Sequence, residues 1–339
     1  MKKYLWALVL GLVLIALSLR LYIGDRSLLL ISALWSGCVA YLYFKCANRT
    51  NLYRTIFFSI IAVTFLLEMH TFANAGATTL PYCHIGMAGN VMHTAYNQVL
   101  AIINSNWQRY GALSIGILWL LVLLVAGQSF CGWICFLGGV DNLFSQVLKK
   151  PLIKLHATKR FREFQIAFFI FITFMSLFYI EPVFCRWFCP YKISNYIFNP
   201  NDGLHTVQII VTIFVSVVIV FLASIIFRKR AFCSTLCPFG ALPPMIHKIS
   251  PYKMKIDQDK CVKCDLCFKE CPSFAIDRTD NVYSITRYCN LCYRCVRECK
   301  YDAITTNRLT PFISLLIGGA LSLFYVPSAI RHLLQLMGV

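Results

Sequence analysis

Charged residues are scarce in this sequence of 339 residues. They make up 14% of the chain, whereas soluble domains carry about 25%. Hydrophobic residues account for 58%, against about 45–50% in soluble domains, and the mean hydropathy is +0.66. A purely water-soluble protein is therefore excluded, and the composition predicts an integral membrane protein.

Acidic residues are especially few, with 14 Asp and Glu against 32 Lys and Arg and a formal net charge of +18. In a membrane protein this excess is typical of the positive-inside bias and of contact with anionic lipids, and it also suits an acidic partner protein. Because the basic residues adjoin apolar runs, we expect no nucleic-acid partner. The sequence also lacks a phosphate-binding glycine loop, a nucleophile elbow and an HExxH motif, which argues against a hydrolase.

Long apolar segments predict the architecture. Seven are long enough, or nearly so, to cross a hydrocarbon core of about 30 Å, which takes about 20 residues. They are Tyr4–Ile23, Leu28–Phe44, Thr55–Ala75, Ala112–Phe130, Phe164–Val183, Val207–Phe227 and Pro311–Ala329. The first follows two lysines as a signal peptide would. No small-x-small cleavage site comes after it, so we expect it to remain as a helix.

Lys and Arg predict the orientation of these spans. The loop after the fourth span is rich in both, and Arg228, Lys229 and Arg230 directly follow the sixth. These ends, the N-terminus and the loop that contains Arg54 are therefore predicted to be cytoplasmic, in a multi-pass protein of the inner membrane. The loops at 76–110 and 184–205 would then lie outside. Arg20, Arg26 and Arg331 do not fit this orientation.

Cysteine is abundant, with 17 residues, and eight of them fall in two crowded groups. "CVKCDLCFKECP" begins at Cys261 and "CNLCYRCVRECK" at Cys289, and both have the spacing C-x2-C-x2-C-x3-C. Bacterial-type ferredoxins bind [4Fe–4S] clusters through this run, and the fourth cysteine ligates the other cluster. The spacing predicts two clusters, one on Cys261, Cys264, Cys267 and Cys299 and the other on Cys289, Cys292, Cys295 and Cys271. Because these thiolates must stay reduced, this segment is expected to face the cytoplasm.

The cysteine-rich segment, at about Pro251–Asn307, has the length of a two-cluster ferredoxin, with "KMKID" and "VYSITR" as short strands. "CPSFAID" after the first group resembles "CKYDAIT" after the second, although Lys300 replaces the usual proline. We therefore predict an α-helical integral membrane protein of about seven transmembrane helices with a small α+β two-cluster ferredoxin-like domain. The predicted parts are N-terminal helices and an outer loop (1–110), a transmembrane core (111–250), the dicluster domain (251–307) and a C-terminal helix (308–339).

Three further cysteine pairs share the spacing C-x3-C just past the ends of spans, at Cys131 and Cys135, Cys185 and Cys189, and Cys233 and Cys237. A free cysteine is often a small apolar helix residue, and we prefer that interpretation for Cys38 and Cys46. For three pairs of identical spacing we prefer a redox role. The first and third pairs, both predicted to be cytoplasmic, could jointly hold another [4Fe–4S] cluster or support the ferredoxin clusters.

The middle pair, Cys185 and Cys189, is predicted to lie outside. With Cys83 and His84 it could bind a fourth cluster or another metal, and a Cys185–Cys189 disulfide is an equally favoured alternative. Four polar residues sit in or near the outer ends of spans: Glu68, His70, Glu181 and His205. Glu68 and His70 are candidate proton acceptors for a quinol site, although such residues also simply reach the interface. Haem and copper are weaker hypotheses for the residues His70, His84, His93, His205, Met87 and Met92.

The motifs "CGWIC" and "CSTLCPFGAL", followed by a dicluster segment, resemble the NapH/NosR-type membrane polyferredoxin family over about Ala112–Asn307. The resemblance implies quinol oxidation, or transfer between quinone and iron–sulfur partners. We expect the redox partner protein to carry an iron–sulfur, flavin or cytochrome group. This sequence has Phe136 where the first motif usually has proline. It also shows no flavin-attachment domain, so the particular member of the family is open.

The function predicted from the sequence is membrane-bound iron–sulfur electron transfer between a quinone pool or membrane partner and a redox partner protein. Whether the chain acts as a quinol dehydrogenase-like oxidoreductase subunit is left open. One alternative is a maturation protein that supplies electrons for copper or cofactor insertion, which the residues His84, Met87, Met92 and His93 would favour. Another is a thiol–disulfide relay through Cys185 and Cys189.

Overall fold

The computed structural model describes residues 2–46, 49–74, 83–104, 111–155, 159–190, 192, 206–248, 253–279, 282–306, 309–324 and 326–336. Within these ranges, residues 2–3, 46, 66–74, 87, 101, 111–115 and 159–160 are described by their backbone alone. Most of the described chain is α-helical, as the long apolar runs lead one to expect.

The helices are labelled in chain order. They are α1 Lys2–Tyr22, α2 Arg26–Cys46, α3 Thr50–Asn74, α4 His84–Gly89, α5 Val91–Ile103, α6 Gly111–Ala126, α7 Ser129–Trp133, α8 Phe136–Phe144, α9 Lys159–Tyr179, α10 Val183–Trp187, α11 Thr206–Phe227 (π-helical over Phe214–Ala223), α12 Ala231–Thr235, α13 Leu242–Met245, α14 Leu266–Glu270, α15 Arg294–Glu298, α16 Leu309–Ser322 and α17 Val326–Leu336.

Four helices are long and apolar enough to cross a membrane, and they are Tyr4–Tyr22, Arg26–Lys45, Phe161–Tyr179 and Thr206–Phe227. They coincide with the first, second, fifth and sixth predicted spans. The third and fourth predicted spans are also helical, but the apolar stretches described there, Thr50–Phe65 and Gly116–Ala126, are shorter. About four candidate spans are therefore present in the described chain, or five if α16 and α17 form one broken span.

The seventh predicted span is not one straight helix. Helices α16 and α17 are bent by 44° from each other. Pro327, the second residue of α17, has no N–H and disfavours helical backbone in the residue before it, so it fits only at a helix start. At the bend, Tyr22 donates its hydroxyl to the carbonyl oxygen of Leu323 at 2.6 Å, and Arg331 pairs with Asp25 at 2.8 Å. Both contacts hold the C-terminal helices against the α1–α2 hairpin.

Two segments predicted as outer loops fold back into the helix bundle. After α9 the chain reverses at Ile180, which has a φ of 51°, and α10 then packs along α9. Ser216, near the middle of α11, donates to the carbonyl oxygen of Pro190 at 3.0 Å. Helix α4 lies between α9, α10 and the 3-10 turn Phe239–Ala241. The loops are thus re-entrant, and they carry cysteines to the interior.

The ferredoxin-like segment contains two antiparallel strand pairs. Strand β1 (Met254–Ile256) pairs with β4 (Ile304–Thr306), and β2 (Ile276–Thr279) pairs with β3 (Val282–Ile285). Helices α14 and α15 pack against each other, and α14 also contacts β2 while α15 contacts β4. The strands predicted from "KMKID" and "VYSITR" correspond to β1 and β3.

Charged contacts fix this segment to the membrane helices. Arg162 of α9 forms a two-pronged salt bridge with Asp277, with its Nη2 at 2.9 Å from Oδ2, and its Nη1 also donates to the carbonyl oxygen of Phe274 at 3.1 Å. Lys229 donates its Nζ to the carbonyl oxygens of Lys269 and Cys271, both at 2.7 Å. The ferredoxin-like segment therefore sits directly on the ends of α9 and α11.

Candidate iron–sulfur sites

The two ferredoxin motifs have the same local backbone. Left-handed conformation recurs at three pairs of equivalent positions, namely Lys263 and Leu291 (φ 58° and 53°), Asp265 and Tyr293 (62° and 60°), and Phe274 and Asp302 (53° and 47°). Left-handed residues are costly for side chains other than glycine, so their repetition indicates a loop shape imposed by function. Alternation of right- and left-handed residues points successive backbone N–H groups toward one concavity, which suits an anionic group.

One group of four thiols lies at the solvent side of this segment. Cys261, Cys264, Cys267 and Cys299 line a common cavity of about 380 Å³. Cys264 is exposed, and burial raises the pKa of Cys267 to about 11. Metal coordination requires deprotonated sulfur, so metal binding is what would hold this thiol as a thiolate at neutral pH.

The second group lies deeper, towards the membrane helices. Cys271, Cys289, Cys292 and Cys295 line another cavity, of about 290 Å³. Burial raises the pKa of Cys295 well above its ordinary value, and the neighbouring cysteines raise it further. The structure thus brings together four thiols from both sequence motifs, as crossed ligation would require.

All three C-x3-C pairs share one local structure. In each, the first cysteine is the third residue of a five-residue helix, α7, α10 or α12. A fully buried phenylalanine precedes it, at Phe130, Phe184 or Phe232, and its carbonyl oxygen accepts the N–H of the fourth residue along at 2.9–3.0 Å. The repeated unit is therefore F-C-x3-C.

Two of these units face each other. Cys135 lies within electrostatic range of Cys131, and Cys237 within range of both. Cys233 lies within range of Cys135 and Cys237. These four residues are called the inner quartet below. Gln165 of α9 donates to the carbonyl oxygens of Cys233 and Cys237, at 2.7 and 3.1 Å, and so holds one loop in place.

Buried positive charge surrounds the inner quartet. Arg230 is fully buried and donates to the carbonyl oxygens of Cys131 and Gly138 at 2.7 and 2.8 Å, with its Nη2 3.8 Å from Cys233 Sγ. Arg54, 1% exposed, donates to the carbonyl oxygen of Gly132 and to Asn142. An isolated buried cation is costly unless a negative charge lies nearby.

Among the described residues around the inner quartet, one acidic side chain faces the two buried arginines. Asp141 is fully buried, and its carboxylate accepts the N–H of Cys233 at 2.9 Å and the hydroxyl of Ser224. One carboxylate offsets one of the two guanidinium groups. A thiolate-ligated cluster is anionic, so the arrangement fits one between these loops.

The inner quartet adjoins the second ferredoxin motif directly. Trp133 donates its indole N–H to the carbonyl oxygen of Leu291 at 2.9 Å. A Cβ added to Gly132 would lie only 2.0 Å from the carbonyl oxygen of Asn290, so only glycine permits this approach. A polar cavity of about 510 Å³, lined by Cys131, Cys233 and Cys289 among others, lies beside the contact.

The predicted separation of His84 from the inner quartet is wrong. His84 Nε2 lies 3.1 Å from Cys135 Sγ, and its ring is packed among Trp119, Phe130, Phe136 and Phe239. The positive-inside rule assigned these residues to opposite sides. The reason for the error is that α4 enters the bundle, a depth that charge counts do not report. His84 is thus grouped with Cys135, and Cys83 with Cys185.

The remaining candidates have other surroundings. The side chains of Glu68, His70 and Met87 and the whole of His205 lie outside the described residues. Glu181 pairs with Arg186, and His93 contacts the carbonyl oxygen of Ile180 at 2.8 Å. Each cysteine whose side chain is described is a free thiol. Among the described residues, no three Cys, His, Asp or Glu side chains converge closely enough to hold a single metal ion.

Comparison with known proteins agrees with this arrangement. A family described as "4Fe-4S binding domain" matches residues 108–154, 164–193 and 209–256, which contain all three F-C-x3-C units, and a second family of the same description matches 254–277. The "Ferredoxin-type protein NapH" of Escherichia coli is 23% identical over 196 residues, covering 56% of this chain and 65% of that protein. These matches support a relationship to the NapH-type polyferredoxin family.

Two other relatives of this polyferredoxin align with different shares of the chain. YccM of Escherichia coli, which its name assigns provisionally to electron transport, is 24% identical over 267 residues, covering 74% of this chain and 71% of its own. Pyruvate synthase subunit PorD of Methanocaldococcus jannaschii is 42% identical over 55 residues, covering 16% of this chain and 64% of its own. No solved structure matches the chain. The polyferredoxin is thus an iron–sulfur electron transport protein with several candidate membrane helices.

Sequence reasoning missed the roles of two arginines and one glycine-containing pattern in this polyferredoxin. Arg54 and Arg230 served only as orientation signals, yet both are buried at the inner quartet. The pattern C-x2-G recurs at "CHIG", "CFLG" and "CPFG". In each, the glycine N–H lies 3.4 Å from the cysteine Sγ, as a donor to Cys83, Cys135 or Cys237. That recurrence is a signal in the sequence that could have grouped Cys83 with the other cysteines.

Proposed function

We propose that this polyferredoxin carries electrons between the quinone pool and a redox partner protein, with [4Fe–4S] clusters held at three cysteine sites. Such a cluster, when bound, accepts and releases one electron. The observation that carries the proposal is the contact of the "CGWIC" loop with the "CNLC" loop, through Gly132 and Trp133. It joins the inner quartet to a ferredoxin site by direct contact of the two loops.

The proposed ligands form three sets. The first ferredoxin cluster uses Cys261, Cys264, Cys267 and Cys299, the second uses Cys289, Cys292, Cys295 and Cys271, and the third uses the inner quartet. The cavities that the first two sets line, the proximity of the quartet thiols and the buried Arg54 and Arg230 support these assignments. Finding only about eight iron atoms per chain would contradict the third set, since each cluster has four.

The positions of the two ferredoxin sites support an electron path between the membrane helices and the exposed edge of the ferredoxin-like segment. The second site adjoins the membrane helices, whereas Cys264 of the first is exposed. Exposed Lys260, Lys263 and Lys300 surround that edge. Basic side chains steer an acidic partner by long-range attraction, so we assign this edge to the docking of a soluble or subunit redox partner on the cytoplasmic side of the inner membrane.

A cavity at the C-terminal end of α11 suits the quinol, which is the lipid-soluble reactant. It has a volume of about 310 Å³ and is walled by Phe227, Phe268 and Phe274, with four lysines and Glu270 as its charged groups. Apolar walls with a few polar groups are typical of sites for such molecules. The cavity adjoins the second ferredoxin site, because Lys229 at its edge donates to the carbonyl oxygen of Cys271.

Glu68 and His70 are the sequence's own candidates for accepting quinol protons, at the other end of the bundle. The test uses protein purified without oxygen and a soluble quinol, with cluster reduction followed by absorbance. Phe268→Ala should slow reduction if the cavity binds the quinol, and Glu68→Gln should do so if the outer site does. Reduction by dithionite must stay unchanged in both variants. Quinol that reduces no cluster in the wild type would overturn the proposal.

A further inference from the structure

Beyond the three sites above, the structure points to a second cysteine site within the membrane helices. We infer that Cys83, Cys185 and Cys189 ligate a further iron–sulfur centre, which rests on the proposed function for the general chemistry of these loops. Cys83 lies outside the residues that the family match covers, so this ligand is supplied by the chain's own N-terminal half.

The first argument is proximity. Gly86 of α4 lies between two thiols, since a Cβ added to it would be 3.2 Å from Cys185 Sγ and 3.8 Å from Cys83 Sγ. Cys83 and Cys185 also lie within electrostatic range of each other. The two residues belong to different re-entrant segments, so the fold brings them together from distant parts of the chain. The missing Cβ leaves room beside both sulfur atoms.

The second argument is local geometry shared with the inner quartet. Cys83 is the N-cap residue of α4, and its Sγ accepts the N–H of Gly86 at 3.4 Å. Cys135 is the N-cap residue of α8, and its Sγ accepts the N–H of Gly138 at the same distance. Cys185, in turn, occupies the third position of a five-residue helix, as Cys131 does. Cys83 and Cys185 therefore reproduce one half of the quartet.

The third argument is the polar group that supports the sulfur atoms. Asn90 is 5% exposed and donates its Nδ2 to Cys185 Sγ at 3.0 Å and to the carbonyl oxygen of Gly86 at 2.8 Å. Hydrogen bonds to sulfur are among the means by which proteins set cluster potentials. Cys189 follows Cys185 at the same spacing as the second cysteine of the other pairs, and by analogy with Cys135 and Cys237 it is the third ligand of the inferred centre.

The centre would extend the row of cysteine sites from the ferredoxin segment into the re-entrant loops of the opposite side. His84 links the two membrane sites, because it follows Cys83 in the chain and touches Cys135 at 3.1 Å. Electrons could then be exchanged on both sides of the bundle. With the inner quartet but without the further centre, electrons could be exchanged on one side of the bundle only.

The test measures iron and acid-labile sulfide per chain on full-length protein purified without oxygen. Cys83→Ala and Cys185→Ala should each lower both by the same amount, and the double variant should lower them no further. Cys131→Ala combined with Cys83→Ala should lower iron by the sum of the two losses. Cys38→Ala is the matched control, since Cys38 is an exposed thiol on α2 and should leave iron unchanged. Wild-type iron in Cys83→Ala or Cys185→Ala would overturn the inference.

Two further measurements keep the test decisive if a variant folds poorly. In the wild type, alkylation followed by mass spectrometry should find Cys83 and Cys185 protected at first and reactive after iron chelation. Thiols that react at once, thiols that stay unreactive after chelation, or a Cys83–Cys185 disulfide would each contradict the inference. The paramagnetic resonance signals of the ferredoxin clusters should persist in Cys83→Ala. Their absence from the wild type would instead overturn the proposed function.

Discussion

Trp133 donates its indole N–H to the carbonyl oxygen of Leu291 at 2.9 Å, and both residues are fully buried. The ring of Trp133 also meets that of Tyr293 edge-on, with centroids 5.8 Å apart. A loop at the end of a membrane helix is thereby fixed to the loop of the second ferredoxin motif. The contact buries Trp133 and Leu291 between two cysteine sites, and burial is one of the properties that set the potential of a cluster.

Replacing Gly132 by alanine should separate these two loops. The added Cβ would lie 2.0 Å from the carbonyl oxygen of Asn290, a backbone atom that cannot rotate away. We expect iron content of the ferredoxin sites to be retained and electron transfer between the inner-quartet cluster and them to slow at least about tenfold, which corresponds to about 1.4 kcal/mol in barrier height. Stopped-flow absorbance measures the rate.

Gly37→Ala is the matched control for this change. Gly37 is also a helical glycine, and a Cβ there meets nothing within 4 Å. The rate in this variant should equal that of the wild type. Equal rates in both variants would show that the contact of the two loops does not limit transfer.

Removing the buried charge of Arg54 should lower the reduction potential of the second ferredoxin cluster. Arg54 lies within electrostatic range of Cys292, and a nearby positive charge stabilises the reduced, more negative state. Two unit charges at about 4 Å interact by about 4 kcal/mol when the effective dielectric constant is about 20. Arg54→Met should therefore shift the potential downward by tens of millivolts or more, as measured by a redox titration of the paramagnetic signal.

A conservative variant separates charge from structure. Arg54→Lys keeps the positive charge and should restore most of the potential, whereas Arg331→Met removes a cation that pairs with Asp25 and should have no effect. An unchanged potential in Arg54→Met, with full iron content, would contradict an electrostatic role for this residue.

The depth of charged residues is where the sequence was least informative. Arg54 and Arg230 follow the positive-inside pattern, and from the sequence alone they indicate only which side a loop occupies. The structure buries both at the inner quartet. The same limit applies to Cys83 and His84. Loop charge predicts sidedness, but whether a loop re-enters the bundle depends on packing between segments that are distant in the chain.

Local spacing, by contrast, predicted two of the four strands of the ferredoxin-like segment and the grouping of its cysteines. The strands at β1 and β3 and the crossed grouping of Cys299 with Cys261 follow from a pattern confined to some fifty residues of an internal repeat. Long apolar runs likewise located α1, α2, α9 and α11. The bend between α16 and α17 was missed because a run of hydrophobic residues continues through it, while Pro327 and the contact of Tyr22 with Leu323 determine the break.

Breaking the Arg162–Asp277 salt bridge should loosen the ferredoxin segment from α9. The Arg162 side chain is 8% exposed and that of Asp277 37%, so the pair is partly shielded from water. Asp277→Asn should cost about 1–3 kcal/mol of local stability, the usual cost of leaving one charged partner unsatisfied. Hydrogen exchange at β2 should become about 5- to 150-fold faster. Asp257→Asn, which removes the exposed 3.8 Å pair with Lys260, is the control and should change exchange little.

The last prediction concerns which cysteines ligate each ferredoxin cluster. In the structure, the fourth cysteine of each motif lies beside the first three cysteines of the other motif. Cys299 shares a cavity with Cys261, Cys264 and Cys267, and Cys271 shares one with Cys289, Cys292 and Cys295. Cys299→Ala and Cys264→Ala should therefore remove the same paramagnetic signal and about four iron atoms each. Cys271→Ala should remove the other signal. If Cys299→Ala instead removed the signal that depends on Cys292, ligation would run within each motif, and the fourth cysteine would not cross to the other site.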